Sequence, residues 1–166
     1  GGEIKVETVI GKGSTFSFDV ELPEAAPPAT LAKHSEHRLP RGLRVLVVDD
    51  NAVNRLLALR FLEQLGAAAV AVSSGQGALD ALAGGAFDAV LLDCEMPDMD
   101  GYEGARRIRA AEPPERHLPL MALTASAMSE DRTKARAAGM DDLITKPFDP
   151  EQLGERLAAI VPAAGR

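Results

Sequence analysis

Five polar residues of this chain stand directly after short apolar runs. Asp49 and Asp50 follow RVLVV, Asp93 follows AVLL, Thr124 follows LMAL and Lys146 follows LIT. Continuous apolar runs of this length read as strands of a parallel sheet buried on both faces. Such a sheet would carry all five residues to one edge. Three carboxylates, a hydroxyl and an ammonium gathered there describe a phosphoryl site built around a hard metal ion. Like charges a few ångströms apart raise each other's pKa, and a bound Mg²⁺, which takes oxygen ligands at about 2.0–2.1 Å, relieves that cost. A carboxylate in such a place is also a nucleophile able to form an aspartyl phosphate. Thr124 would offer its hydroxyl to one phosphoryl oxygen and Lys146 its ammonium to another, in a chemistry that rests mostly on positioning and electrostatics. Any one strand-end acid would also serve as an ordinary helix N-cap; three together exceed that need.

The elements that must position these residues alternate in type. The apolar runs at 44–48, 67–72, 89–92, 120–123 and 143–145 are separated by helical patterns. Val53, Leu57, Phe61 and Leu65 recur every four residues, with Gly66 as a C-cap, and Leu153, Leu157 and Val161 do the same near the end. Right-handed crossovers then give an α/β doubly wound, five-stranded parallel sheet covered by helices on both faces. Ligands of such sheets sit beyond the carboxyl ends of the strands.

Composition narrows the partners. The 166 residues are 46% hydrophobic and 26% charged, with a net charge of −7, which argues against nucleic acid or an anionic membrane as the main partner. The one cysteine, Cys94, excludes an internal disulfide framework and a Cys-rich zinc site, and suits a reducing cytoplasm. No apolar run approaches the roughly 18 residues of a membrane span, so direct membrane contact is not expected of this segment; a membrane anchor would lie elsewhere in a longer protein. Residues 23–42, with four prolines and no apolar period, read as a linker contributing little core, and 163–166 as a tail. Ahead of the linker, residues 1–22 alternate apolar and polar positions on either side of GKGST, the pattern of a β-hairpin with one apolar face. Two strands alone are marginal in water, so the hairpin reads as the edge of a larger domain. GKGST lacks the GxxxxGK[ST] spacing of a P-loop.

VLVVDDNAVNR, LLDCEMPDMDGYE, ALTA and GMDDLITKPF occur in the order and spacing of response-regulator receiver domains, and residues 43–162 resemble that family, most of all the receivers of hybrid histidine kinases. The resemblance implies a flavodoxin-like sheet of strand order 2-1-3-4-5 and assigns roles. Asp93 is the phosphoacceptor, Asp50 a direct Mg²⁺ ligand, Asp49 a helper through water, and the Glu95 carbonyl the remaining protein ligand; Thr124 and Lys146 bind the phosphoryl group. Residues 1–22 look like the last strands and glycine box of a histidine-kinase ATP-binding domain, Gly11 and Gly13 being its turn glycines, without the kinase core needed to bind ATP. The expected function is a phosphorelay receiver in a cytoplasmic setting, taking a phosphoryl group from the phosphohistidine of its own or a partner kinase and passing it to a histidine phosphotransfer protein. A docking module with vestigial phosphorylation is the alternative. A haloacid-dehalogenase-type phosphatase is excluded, because its DxDxT motif does not follow the first strand.

Several residues carry weaker expectations. Receivers usually hold an aromatic residue where this chain has Leu143, which either alters coupling to the outer face or simply packs beneath it. His34 and His37 lie in the linker without a helical period. Cys94 reads as a small buried residue rather than a redox sensor. Arg106, Arg107 and Arg109 read as an exposed helix face, Asp141 and Asp142 as solvated turn residues, Met96 and Met99 as loop packing around Pro97, and Gly101 as the turn into the next helix. The hairpin's apolar face (Ile4, Val6, Phe16, Phe18) is expected to dock on the receiver or on a second copy of the chain.

Overall fold

The structure is a computed structural model that describes residues 4–19, 39–40, 42–126 and 128–161. Most of the expected linker, with His34 and His37, and the expected tail lie outside the described residues. The chain divides into two compact units, Gly1–Lys33 and His34–Arg166.

In the first unit, β1 (Ile4–Val9) and β2 (Gly13–Phe18) form an antiparallel hairpin. Gly11 and Gly13 take positive φ angles, and the Lys12 amide donates to the Val9 carbonyl to close the turn. The register pairs Ile4 with Phe18 and Val6 with Phe16, which sets two large apolar pairs on one face. Every residue of both strands is exposed.

The second unit is a βα alternation: β3 (Arg44–Val48), α1 (Ala52–Gln64), β4 (Ala68–Val72), α2 (Gly75–Gly84), β5 (Ala89–Asp93), α3 (Gly101–Ala111), β6 (Leu120–Thr124), α4 (Ser129–Ala137), β7 (Asp142–Thr145) and α5 (Pro150–Ile160). The strands are all parallel in the order β4-β3-β5-β6-β7. That is the doubly wound order expected. Alternate residues of each strand feed two cores. Val45, Val47, Leu91, Met121, Leu123 and Ile144 pack with Ala58 and Leu62 of α1 and Leu153 and Leu157 of α5. Leu46, Val48, Val90, Leu92, Leu120 and Ala122 pack with Ala78 of α2, Ala105 and Ile108 of α3 and Ala135 of α4. Side-chain caps fix four helix starts: Asn51, Ser74, Asp100 and Asp149 each accept an amide of the first turn. At α4 the cap position is Met128, which makes no such bond, and Ala135 is its one buried residue. No helix among the described residues is long and apolar enough to cross a membrane.

Four local expectations are corrected. The buried stripe of α1 is Ala58 and Leu62, with Phe61 and Leu65 packed against it. Val53 and Leu57 are exposed, because the small side chain of Ala58 is the one that meets the sheet. Arg109 is not on an open face. Its side chain is 17% exposed; the guanidinium donates to the carbonyls of Gly139 and Leu118 and pairs with Glu112 and Asp141. Asp141 is accordingly no free turn residue, since it also accepts the Leu120 amide and meets His117 at 2.6 Å. Asp142 pairs with Arg156. The segment before β3 contributes core after all, through Leu39, which is buried and donates its amide to the Leu65 carbonyl. Leu143 is buried beneath the α4 side of the sheet.

Candidate functional site

Register explains the convergence. Val48 pairs with Leu92, Asp93 with Leu123 and Thr124 with Thr145, so the residues at or just past these strand ends share one edge. Asp49 and Asp93 are buried, at 0% and 3% exposure, while Asp50 is open to solvent. Carboxylate oxygens of Asp49, Asp50 and Asp93 lie within 4.8 Å of one another. Two buried carboxylates and one open one, with a single ammonium between them, are oxygen donors in charge excess, and this donor set fits a hard divalent cation.

Lys146 arrives from the end of β7. Its backbone amide donates to the Thr124 carbonyl at 2.7 Å, and its Nζ reaches Asp49 Oδ2 at 2.9 Å and Asp93 Oδ2 at 2.7 Å. The Lys146–Pro147 peptide is cis. Burial raises the Asp93 carboxyl above the ordinary carboxylate range, against the pull of hydrogen bonds from Lys146 and the Glu95 amide. Burial works to lower the Lys146 ammonium, but its hydrogen bonds to Asp93 and Asp49 prevail and hold it above the usual lysine value. Each proton-bearing state is thus shaped by two opposing effects: loss of water, and close pairing.

Thr124 is buried at the end of β6, and its Oγ1 accepts the Ser126 amide. Glu95 sits one residue past Cys94 with an exposed side chain; its backbone amide donates to Asp93 Oδ1 at 3.0 Å. Gly101 is required by close approach: a Cβ there would fall 2.2 Å from the Asp93 carbonyl oxygen. Met99 packs against Gly75 and Gly104, so the loop that carries Glu95 is seated between α2 and α3. Cys94 is buried and shares a hydrogen bond with Tyr102; loss of water pushes its thiol up to about 11.

Three residues of α1 and its cap went unnoticed in the sequence. The Asn51 amide donates to Asp49 Oδ1 at 2.8 Å, and Asn54 Nδ2 meets Asp49 Oδ1 and Oδ2 at 3.2 and 3.1 Å. Arg55 Nη1 donates to the carbonyls of both Asp49 and Asp50 at 2.8 Å. The available signal was spacing: polar residues four and five positions past Asp50, on the first turn of the helix that follows the acid pair. Beside them lies a cavity of about 250 Å³ lined by Asp49, Asn54, Leu57, Leu123, Lys146, Pro147 and Phe148.

The sequence matches the family described as the response regulator receiver domain over residues 45–158. It is 41% identical over 167 residues to the virulence sensor protein BvgS of Bordetella bronchiseptica, covering 95% of this chain and 14% of that protein, so the chain spans a small part of that relative. Among solved structures, the receiver domain of sensor histidine kinase PA1611 from Pseudomonas aeruginosa, with a magnesium ion coordinated in its active-site cleft, is 36% identical with a TM-score of 0.66, covering 74% of this chain and 99% of that one. The receiver domain of Ssk1 from Saccharomyces cerevisiae, solved with the histidine phosphotransfer protein Ypd1, is 27% identical with a TM-score of 0.66, covering 73% and 90%.

Proposed function

The chain belongs to the response regulator receiver family, a phosphoacceptor family of two-component phosphorelays, and from that premise we propose that Asp93 accepts a phosphoryl group from a phosphohistidine in a Mg²⁺-dependent reaction. The observation that carries this reading is the convergence of Asp49, Asp50 and Asp93 within 4.8 Å, with Lys146 Nζ bridging two of them. An Asp93 carboxylate oxygen attacks phosphorus, the phosphorus–nitrogen bond breaks, and its electron pair leaves on the imidazole nitrogen. Lys146 turns from Asp93 to one phosphoryl oxygen, and the Thr124 hydroxyl donates to another. Mg²⁺, held by Asp49, Asp50, Asp93 and the Glu95 carbonyl, would supply neutralisation of the charge on the phosphoryl oxygens.

Onward transfer to a histidine phosphotransfer protein is part of the proposal. The amino-terminal half of α1 exposes Val53, Leu56 and Leu57, and Leu57 also lines the cavity at Lys146. An apolar patch beside the acceptor supports docking of a helical partner, and the Ssk1 receiver provides the parallel, having been solved with such a protein. The parent protein is proposed to be a hybrid histidine kinase working in the cytoplasm. On this view residues 1–22 are the end of its ATP-binding domain, 23–42 a linker and 43–162 the receiver, and the rest of the ATP-binding domain covers the apolar face of β1 and β2. Association of that face with a second copy applies to the separated segment.

Incubation with acetyl phosphate or phosphoramidate and Mg²⁺ should label Asp93, and Asp93→Ala should abolish labelling. Absence of label on the wild-type chain would sink the reading.

A further inference from the structure

We infer that Asn54 and Arg55 are positioning residues for the acid pair, and that they keep Asp49 and Asp50 in metal-binding geometry when Lys146 departs. The inference rests on the reading above and deepens it. Lys146 Nζ is shared between Asp49 and Asp93, and a lysine that swings to a phosphoryl oxygen withdraws a charged partner from a fully buried carboxylate. Left with the Asn51 amide alone, that carboxylate would be free to rotate. Asn54 Nδ2 spans both of its oxygens, and so fixes the plane of the carboxylate independently of Lys146.

Arg55 acts on the backbone. A single Nη1 donates to two successive carbonyls at 2.8 Å each, which locks the Asp49–Asp50 peptide at the point where the strand ends and α1 begins. The exposed Asp50 side chain has no such restraint of its own among the hydrogen bonds of the described residues, so its aim at the metal is set by this backbone. Both donors sit on the first two turns of α1, a helix whose start is fixed by Asn51. The acid pair is therefore braced by a rigid element. Partners of this kind, outside the ligand set, commonly change metal affinity by about 10–100-fold when removed.

Calorimetric titration with Mg²⁺ alone tests this on the full chain. Asn54→Leu keeps the branched shape and removes the donor; Arg55→Ala removes the clamp; Arg55→Lys restores a cationic donor on a shorter and more flexible stem. Asn54→Leu and Arg55→Ala should each bind Mg²⁺ on the order of 10-fold more weakly, with Arg55→Lys in between. The labelling rate by phosphoramidate in these variants should be depressed at limiting Mg²⁺ and recover as Mg²⁺ is raised, a response that general damage to the fold would not give. Melting temperatures without metal check the fold, and Asn54→Ser serves if the leucine variant does not fold. Wild-type Mg²⁺ affinity in folded variants, or a labelling defect that excess Mg²⁺ leaves in place, overturns the inference alone. No Mg²⁺ binding by the wild-type chain overturns it together with the reading it rests on.

Discussion

Two charged clusters stand at opposite ends of β6. At its carboxyl end three carboxylates gather with one ammonium, Lys146, which pairs with Asp49 and Asp93. At its amino end one guanidinium, Arg109, meets Glu112 and Asp141, with His117 against both Asp141 and the guanidinium. The second cluster is closed. Asp141 also accepts the Leu120 amide and Glu112 the Leu118 amide, while Arg109 donates to the Leu118 and Gly139 carbonyls, tying α3 to β6 and to the turn before β7. The first is short of positive charge, and burial raises the carboxyl of one of its acids, Asp93, above the ordinary range. Carboxylates thus do different work: in the closed cluster satisfied charges fasten elements together, while under the proposed function the unsatisfied ones hold a position for an incoming cation and phosphoryl group. A stability–function trade of this sort is expected wherever a site is built before its ligand arrives.

Breaking the closed cluster should give the largest change in stability. Arg109→Ala leaves Glu112 and Asp141 without their cation and two carbonyls without a donor, and should cost about 3 kcal/mol in urea unfolding. Labelling of the folded fraction at Asp93 should stay within about twofold of wild type. A loss below about 1 kcal/mol would mean that the network is a surface ornament rather than a fastening. Arg109→Lys should recover little, since an ammonium cannot match the planar set of donors.

The open cluster should respond to metal instead. Mg²⁺ at about 100 times its dissociation constant should stabilise the wild-type chain by about 2.7 kcal/mol, and EDTA should reverse the gain. Asp50→Ala should lose that gain while unfolding at least as late as wild type without metal. The comparison would fail if Asp50→Ala were as damaging as Arg109→Ala.

How much of this contrast is visible in the sequence depends on what each residue does locally. Asp49, Asp93, Thr124 and Lys146 were legible because each follows an apolar run, and parallel strands align their ends. The Arg109 cluster was not, because the pairing of Arg109 with Asp141 spans 32 positions, and on its own helix Arg109 is indistinguishable from its neighbours Arg106 and Arg107. Only the tertiary fold tells a fastening arginine from a solvated one. The stripe of α1 was misread for a similar reason: Ala58 is a weak apolar signal, yet its small side chain is what allows close approach, whereas Val53 and Leu57 look like core and face outward. Leu39 was hidden by the prolines around it. The hairpin, in contrast, was readable as a hairpin from alternation on either side of GKGST, because its pairing is local.

A finer test uses pH. The folded-state pKa of Asp93 lies above its unfolded value, so the folded chain binds this proton more tightly than the unfolded one. The corresponding stability is present in full below about pH 4, the ordinary aspartate pKa, and is lost as pH rises through the raised value. Asp93→Asn carries no such proton and should not show the loss. Without metal at pH 7, the asparagine variant should therefore melt higher by a few degrees, on the order of 3 °C, with the two curves converging as pH falls toward about 4. Mg²⁺ should reverse the order at pH 7, because it stabilises only the chain that keeps the acid. If Asp93→Asn melts lower than wild type without metal, the acid is fastened by Lys146 rather than strained by burial, and the two clusters are less different than their geometry says.

The smallest effect separates reactivity from mere adjacency. Cys94 follows Asp93 directly, but burial and its neighbours put the thiol at about 11, so almost none of it is thiolate at neutral pH, and the thiolate is the reactive form. Alkylation by iodoacetamide at pH 7.5 should be slow in the folded chain and fast in urea. Cys94→Ala should leave the Asp93 labelling rate within about twofold of wild type, because the thiol's partner is Tyr102 and no hydrogen bond joins the sulfur to the acid cluster among the described residues. Rapid alkylation of the native chain that also blocks labelling would show that the open cluster extends to the thiol, and that its excess of negative charge does not by itself mark the limits of the site.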